Sequence, residues 1–205
     1  MSASATTSSN ERLILFSDAI IAVTITLLAL DIRLPDNETS LSDHQVLEQL
    51  VAMGPRIYAY ALSFLVIGSF WIAHRRKFER ITGSHATIIW LNFLFLLSLG
   101  LVPFATDVLA EKDGLVAKIL YALTVGLASF LLASIGLLAH RRGLIRREDE
   151  FDSVDRELIP SLGTAGIFIV SIPFAFVSPD IAKLFWLLLI PFNIWLTRRR
   201  VRHGT

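Results

Sequence analysis

Residues 13–32 read LILFSDAIIAVTITLLALDI, apolar throughout except for Ser17, Asp18, Thr24, Thr26 and Asp31. A helix needs about 20 such residues to cross a bilayer core, and this run contains neither Gly nor Pro to interrupt it. Working outward, residues 57–73 (IYAYALSFLVIGSFWIA) carry no charge. No Asp, Glu, Lys or Arg occurs from Ile81 to Thr106, nor in 119–139 or 158–179, and 181–197 holds one, Lys183. Six runs of spanning length in 205 residues predict an all-α membrane protein with six transmembrane helices per subunit. The composition agrees: 54% of residues are hydrophobic, 18% are charged and the mean hydropathy is +0.61, where a soluble domain runs near a quarter charged.

The connections assign an orientation. Basic residues gather after span two (Arg75, Arg76, Lys77, Arg80), span four (Arg141, Arg142, Arg146, Arg147, Arg156) and span six (Arg198, Arg199, Arg200, Arg202). With Arg12, 14 of the 19 Lys and Arg residues fall on one side, which the positive-inside bias makes cytoplasmic. Both termini are then expected in the cytoplasm: residues 1–11 as a flexible Ser/Thr-rich tail and 199–205 as a basic tail, flanking one transmembrane domain over 12–198. Loop 33–52 is the longest outer connection. The net charge of +1 gives no basic field for nucleic acid, and the absence of cysteine removes disulfides and thiolate metal sites. There is no Walker loop, nucleophile elbow, paired-histidine zinc signature or TVGYG-type carbonyl filter. Neither an enzyme nor a cofactor or resident metal is expected.

An ionisable group inside a span is costly, which makes Asp18 a functional candidate. At 100° per residue, Phe16, Ile20, Leu27, Leu30 and Leu34 fall within about 60° of Val23, and Asp18 lies about 140° from it. Thr26 sits at one edge of the stripe. Such a stripe faces lipid or protein in the bland reading, and lines a narrow hydrophobic pore in the sharp one. Ser63, Trp71, His74 and Phe78 share one face of span two, and Asn92 stands near the start of span three. These side chains supply donors to a buried carboxylate. Two roles stay open: a structural clamp among the first three spans, or a proton relay through Asp18 and His74.

The quoted residues carry a resemblance. ERLILFSDAIIAVTITLLALDIRLP resembles the first helix of the transmembrane protein 175 family, the lysosomal potassium channel and its prokaryotic relatives. Its pattern of Arg, three residues, then Phe-Ser-Asp is met by Arg12, Phe16, Ser17 and Asp18. SFLVIGSFWIAHRRKF (63–78) and WLNFLFLLSLGLVPF (90–104) continue the match, which covers spans one to three. The resemblance implies a potassium-favouring cation channel, with four one-repeat copies around a central pore lined by helix one. The single repeat points to a prokaryotic plasma membrane, with its lipids as partners. It implies that the position five after the motif Asp, here Val23, is the principal constriction. Family members commonly have Ile or Leu there, so Val23 is a departure that widens the expected opening. Leu27 and Leu30 form the next rings, and Thr26 matches a hydroxyl position important for selectivity in some bacterial relatives. It also implies that the Phe-Ser-Asp motif bonds with Trp71, His74 and Asn92, which favours the clamp.

A mechanism follows. Narrow apolar rings penalise potassium less than sodium because potassium holds its water less tightly, and such rings gate by dewetting. Selectivity from apolar rings is expected to be moderate. Asp31, Asp36 and Glu38, with Asp43 and Glu48, face a single Arg33 at the outer end of helix one and would concentrate cations there; a solvated loop is the competing reading. The alternative function is a proton-coupled transporter or proton leak using Asp18 and His74. Transporters break their helices near mid-membrane, and Pro103, Pro173 and Pro191 are positioned to do so.

Overall fold

The computed structural model describes residues 2–30, 32–34, 42–83, 85–112 and 114–145, with 163, 166 and 170. Among these the chain forms α1 (Ser2–Leu30), α2 (Asp43–Ala52), α3 (Gly54–Arg80), α4 (Ala86–Gly100), α5 (Val102–Lys112) and α6 (Leu115–Arg141). Four stretches are long and apolar enough to cross a membrane: Asn10–Leu30, Gly54–Arg80, Ala86–Lys112 and Leu115–Arg141. They coincide with the first four expected spans. Apart from residues 163, 166 and 170, the expected spans over 158–179 and 181–197 lie outside the described residues, as do the tail 199–205 and the mouth residues Asp31, Asp36 and Glu38.

Two boundaries differ from the sequence expectation, and a third feature is the break that Pro103 signals; each has a local reason. The helix carrying the first span begins at Ser2, so the segment expected as a flexible tail continues α1. No Gly or Pro interrupts residues 2–10, and a Ser/Thr-rich composition slows helix formation without stopping it. The outer connection contains α2, started by a capping box. The Ser42 amide donates to Gln45 Oε1 (2.9 Å) and the Gln45 amide donates to Ser42 Oγ (3.4 Å). Span three is broken at Leu101. Pro103 has no N–H to offer the carbonyl one turn back, and the Leu101 amide turns to the Ser98 carbonyl (3.3 Å) before α5 resumes.

Packing follows from which face each helix buries. From α1, Ser17, Ile21, Thr24 and Leu28 recur at helical spacing and are buried against the rest of the bundle. They meet a core built by Ile67 and Phe70 of α3, Phe95 and Leu99 of α4, and Val125, Leu132 and Ile135 of α6. Ser63, Thr106 and Tyr121 form a buried hydroxyl chain across α3, α5 and α6. Thr106 Oγ1 donates to the Val102 carbonyl (2.7 Å), so its remaining capacity accepts from Ser63 (2.7 Å), which in turn accepts from Tyr121 (3.0 Å). This chain ends on the carbonyl next to the Pro103 break and fixes α5 there.

The end of α6 is a complete Schellman motif. Gly143 takes φ 62°, its amide donates to the His140 carbonyl (3.0 Å), and the Leu144 amide donates to the Ala139 carbonyl (3.0 Å). A Cβ on Gly143 would meet nothing within 4 Å, so only the backbone conformation resists substitution. Gly143→Ala is expected to cost about 1 kcal/mol and Gly143→Asn less. Thermal unfolding in detergent checks this, and an unchanged transition in both would remove the left-handed turn as a determinant.

Candidate functional site: a polar clamp behind an exposed apolar stripe

Ser17 and Asp18 are consecutive, so their side chains leave α1 about 100° apart and reach different helices. Asp18 Oδ1 accepts from the Trp71 indole N–H of α3 at 2.9 Å. Ser17 Oγ accepts from Asn92 Nδ2 of α4 at 2.9 Å and donates to the Leu13 carbonyl at 2.8 Å. With the Asn92 amide donating to Ser17, its oxygen accepts from His74 Nε2, 2.9 Å away. The single Ser17 proton is committed to Leu13, which fixes the direction of the whole chain and the proton of His74 at Nε2. Ser17, His74 and Asn92 are fully buried, and among the described residues His74 Nδ1 has no hydrogen-bond partner. The His74 ring lies between Phe78 (centroids 4.3 Å, planes 28° apart) and Phe95 (5.5 Å, 9°). Two polar branches thus clamp α1 to α3 and α4 with aromatic rings packed around the histidine.

The opposite face of α1 meets none of this. Val23 is 56% exposed, Leu27 43% and Leu30 54%, while Leu28, one residue beyond Leu27, is 1% exposed. Phe16 is also exposed, its ring edge-on to Phe93 of α4 at 5.8 Å. Thr26 is exposed and donates its hydroxyl proton to the Val23 carbonyl (2.8 Å), which leaves the oxygen lone pairs turned outward. Arg12 lies on the exposed side, at the start of the span.

Sequence spacing groups Ser63 with the partners of Asp18. The structure places Ser63 in the separate hydroxyl chain with Thr106 and Tyr121, and uses Phe78 to stack on His74. Thr106 and Tyr121 carry no sequence signal of their own, because a hydroxyl in an apolar helix bonds its own backbone as readily as another helix. Arg75 reads in the sequence only as part of a basic cluster. It lies over the Trp71 ring at 5.9 Å and pairs with Glu79 at 2.8 Å, extending the Asp18 branch outward. Among the described residues no cluster of His, Asp or Glu is arranged to hold a metal.

Comparison with known proteins follows the same geometry. A family model described as the endosomal/lysosomal potassium channel TMEM175 matches residues 12–103, the segment that contains the clamp and the stripe. A protein from Streptomyces collinus named as a potassium channel is 32% identical over 189 residues, 83% of this chain and 88% of that one. The chicken endosomal/lysosomal proton channel TMEM175 is 38% identical over 113 residues, 51% of this chain and 23% of that one. Among solved structures, a lysosomal potassium-selective channel TMEM175 homolog from Chamaesiphon minutus superposes with a TM-score of 0.79 at 24% identity, over 92% of this chain and 98% of that one, and so shares the fold. The chain belongs to the TMEM175 channel family.

Proposed function

We propose that this protein is a passive cation channel that favours potassium moderately, built by four copies around a central pore lined by α1. One observation carries the reading: the apolar stripe of α1 is left uncovered by its own subunit while the face behind it is pinned by buried hydrogen bonds. A helix whose clamp residues point into its own bundle leaves Val23, Leu27 and Leu30 to form successive hydrophobic rings when copies assemble. Thr26 adds an outward hydroxyl oxygen at the edge of the constriction. Asp31, Asp36 and Glu38 attract cations at the outer mouth, and both termini face the cytoplasm of a prokaryotic cell.

The second reading is proton transfer through Asp18 and His74, favoured by the relatives named as proton channels. Among the described residues no hydrogen bond joins the two groups. Asp18 ends on Trp71, and the His74 branch ends on the Leu13 carbonyl, which carries no exchangeable proton. This arrangement supports the clamp.

Liposomes holding the purified protein, given a potassium gradient and then a sodium gradient, test the proposal. Fast potassium flux with slower sodium flux is expected. Flux driven only by a proton gradient, and abolished by Asp18→Asn, would replace the channel with the relay.

A further inference from the structure

At the end of the bundle where the α1 span starts, three segments that are distant in sequence are tied together. The first is Asn10, whose side-chain amide donates to the Ile81 carbonyl at 3.1 Å. The second is the turn 81–83 after α3. Ile81 is extended (φ −78°, ψ 116°), which turns its carbonyl away from the helix it ends. The third is the Schellman turn after α6. Ile81 and Ile145 form an antiparallel bridge, and Thr82 donates both its amide (2.8 Å) and its hydroxyl (3.0 Å) to the Leu144 carbonyl. A Cβ on Gly83 would stand 2.9 Å from Leu144 Cδ2, so the two turns are in close contact.

The parts do more than their own helices require. Asn is a poor helix former in mid-helix, where its amide competes with the backbone. Asn10 nonetheless sits inside α1 and uses that amide on a carbonyl 71 residues away. Gly143 in the left-handed conformation is what turns Leu144 and Ile145 back toward Ile81 and Thr82.

We propose that Asn10 is a positioning residue for the pore helix, and that the clasp of Asn10, Ile81–Gly83 and Gly143–Ile145 fixes the tilt of α1. The deeper clamp at Ser17 and Asp18 sets how α1 is rotated, since it bonds one turn in two directions about 100° apart. The clasp acts as the second anchor. Val23 lies 13 residues beyond Asn10, roughly 20 Å along the axis, so a small change of tilt at the clasp moves the constriction ring of every copy. The inference rests on the channel reading for its consequence, and on the bonds alone for its mechanics.

The test uses the full chain in liposomes. The natural sequence has no cysteine, so a spin-label pair at Glu11→Cys and Arg142→Cys, diluted with unlabelled protein, reports the distance across the clasp without background. Asn10→Asp keeps the shape and loses the donor; Asn10→Ala loses both; Asn10→Gln keeps the donor. Asp and Ala are expected to broaden the distance distribution, with the ratio of anchored to released populations falling about fivefold, the effect of one net hydrogen bond. Gln is expected to restore the narrow distribution. Potassium current per channel should change in Asp and Ala and recover in Gln, with the preference over sodium kept. Unchanged distances in both Asp and Ala would overturn the clasp. Moved distances with unchanged current in a conducting protein would overturn its link to the pore. A natural protein that carries no current, yet shows the distance changes, would retain the clasp and count against the channel reading instead.

Discussion

Leu27→Ala is expected to abolish most of the preference for potassium over sodium while leaving the protein folded. Leu27 is 43% exposed within its subunit, so trimming it removes little packing, and substitutions at such sites stay within about 0.5 kcal/mol. In the proposed ring of copies the same trimming would open the constriction on every side at once. A wider opening lets the ion keep its water, and the difference in dehydration between sodium and potassium no longer counts. The ratio of permeabilities is expected to fall about tenfold, equivalent to about 1.4 kcal/mol in the difference between the two barriers. Val23→Ala should act in the same direction and less strongly, because Val is already the shorter side chain. Leu27→Ile, which conserves volume, should retain the preference. Reversal potentials with potassium on one side and sodium on the other measure this directly. Unchanged potentials in both alanine variants would remove these residues from the constriction. Leu28→Ala is the matched contrast. Leu28 is 1% exposed, so that change should cost about 2–5 kcal/mol of stability and leave the ion preference alone.

That contrast between neighbours is legible in the amino-acid sequence. The 100° step of a helix separates Leu27 from Leu28 and Val23 from Asp18; Val23, Leu27 and Leu30 share an exposed face, while Ile20, projected onto the same stripe, packs against the core. The pairing of Trp71 with Asp18 is readable from chemistry, because a carboxylate inside a bilayer must find a donor and few are at hand. The pairing of Asn92 with Ser17 is not, since Ser17 and Asp18 are adjacent and sequence alone does not divide the donors between them. The break at Leu101 is marked by Pro103, and α2 by the Ser42–Gln45 capping box, a signal easily lost inside a polar loop. The clasp is hidden for a different reason. It joins backbone carbonyls at Ile81 and Leu144 to polar side chains, and a backbone carbonyl has no residue signature. Only Gly143 carries one, and an isolated glycine after a basic helix end reads as an ordinary stop.

Asn92→Ala should be the most destabilising change in the clamp. Asn92 is the one residue that bonds both Ser17 and His74, donating to the first and accepting from the second. Its removal leaves the His74 Nε2 proton without an acceptor inside a sandwich of Phe78 and Phe95, and leaves Ser17 without its donor. His74 already has Nδ1 without a partner among the described residues, so the ring would lose its remaining hydrogen bond. A stranded buried polar group costs about 1–3 kcal/mol, and the emptied volume adds to it. Hydrogen bonds between membrane helices are weaker than that when both partners find substitutes, but a ring enclosed by aromatic side chains has none within reach. A loss of about 3 kcal/mol is expected, seen as a lower unfolding transition and a smaller yield of assembled protein. Trp71→Phe should cost less, because it breaks a single bond to the half-buried Asp18 rather than two bonds of a fully buried network. The double variant Asn92→Leu with His74→Phe supplies the decisive comparison. It removes both partners together and fills the space, so most of the lost stability should return. A protein with Asn92→Ala that assembles and unfolds as the natural one does would show that the clamp leaves the placement of α1 unaffected. Recovery in the double variant would show that the cost came from stranded polar atoms.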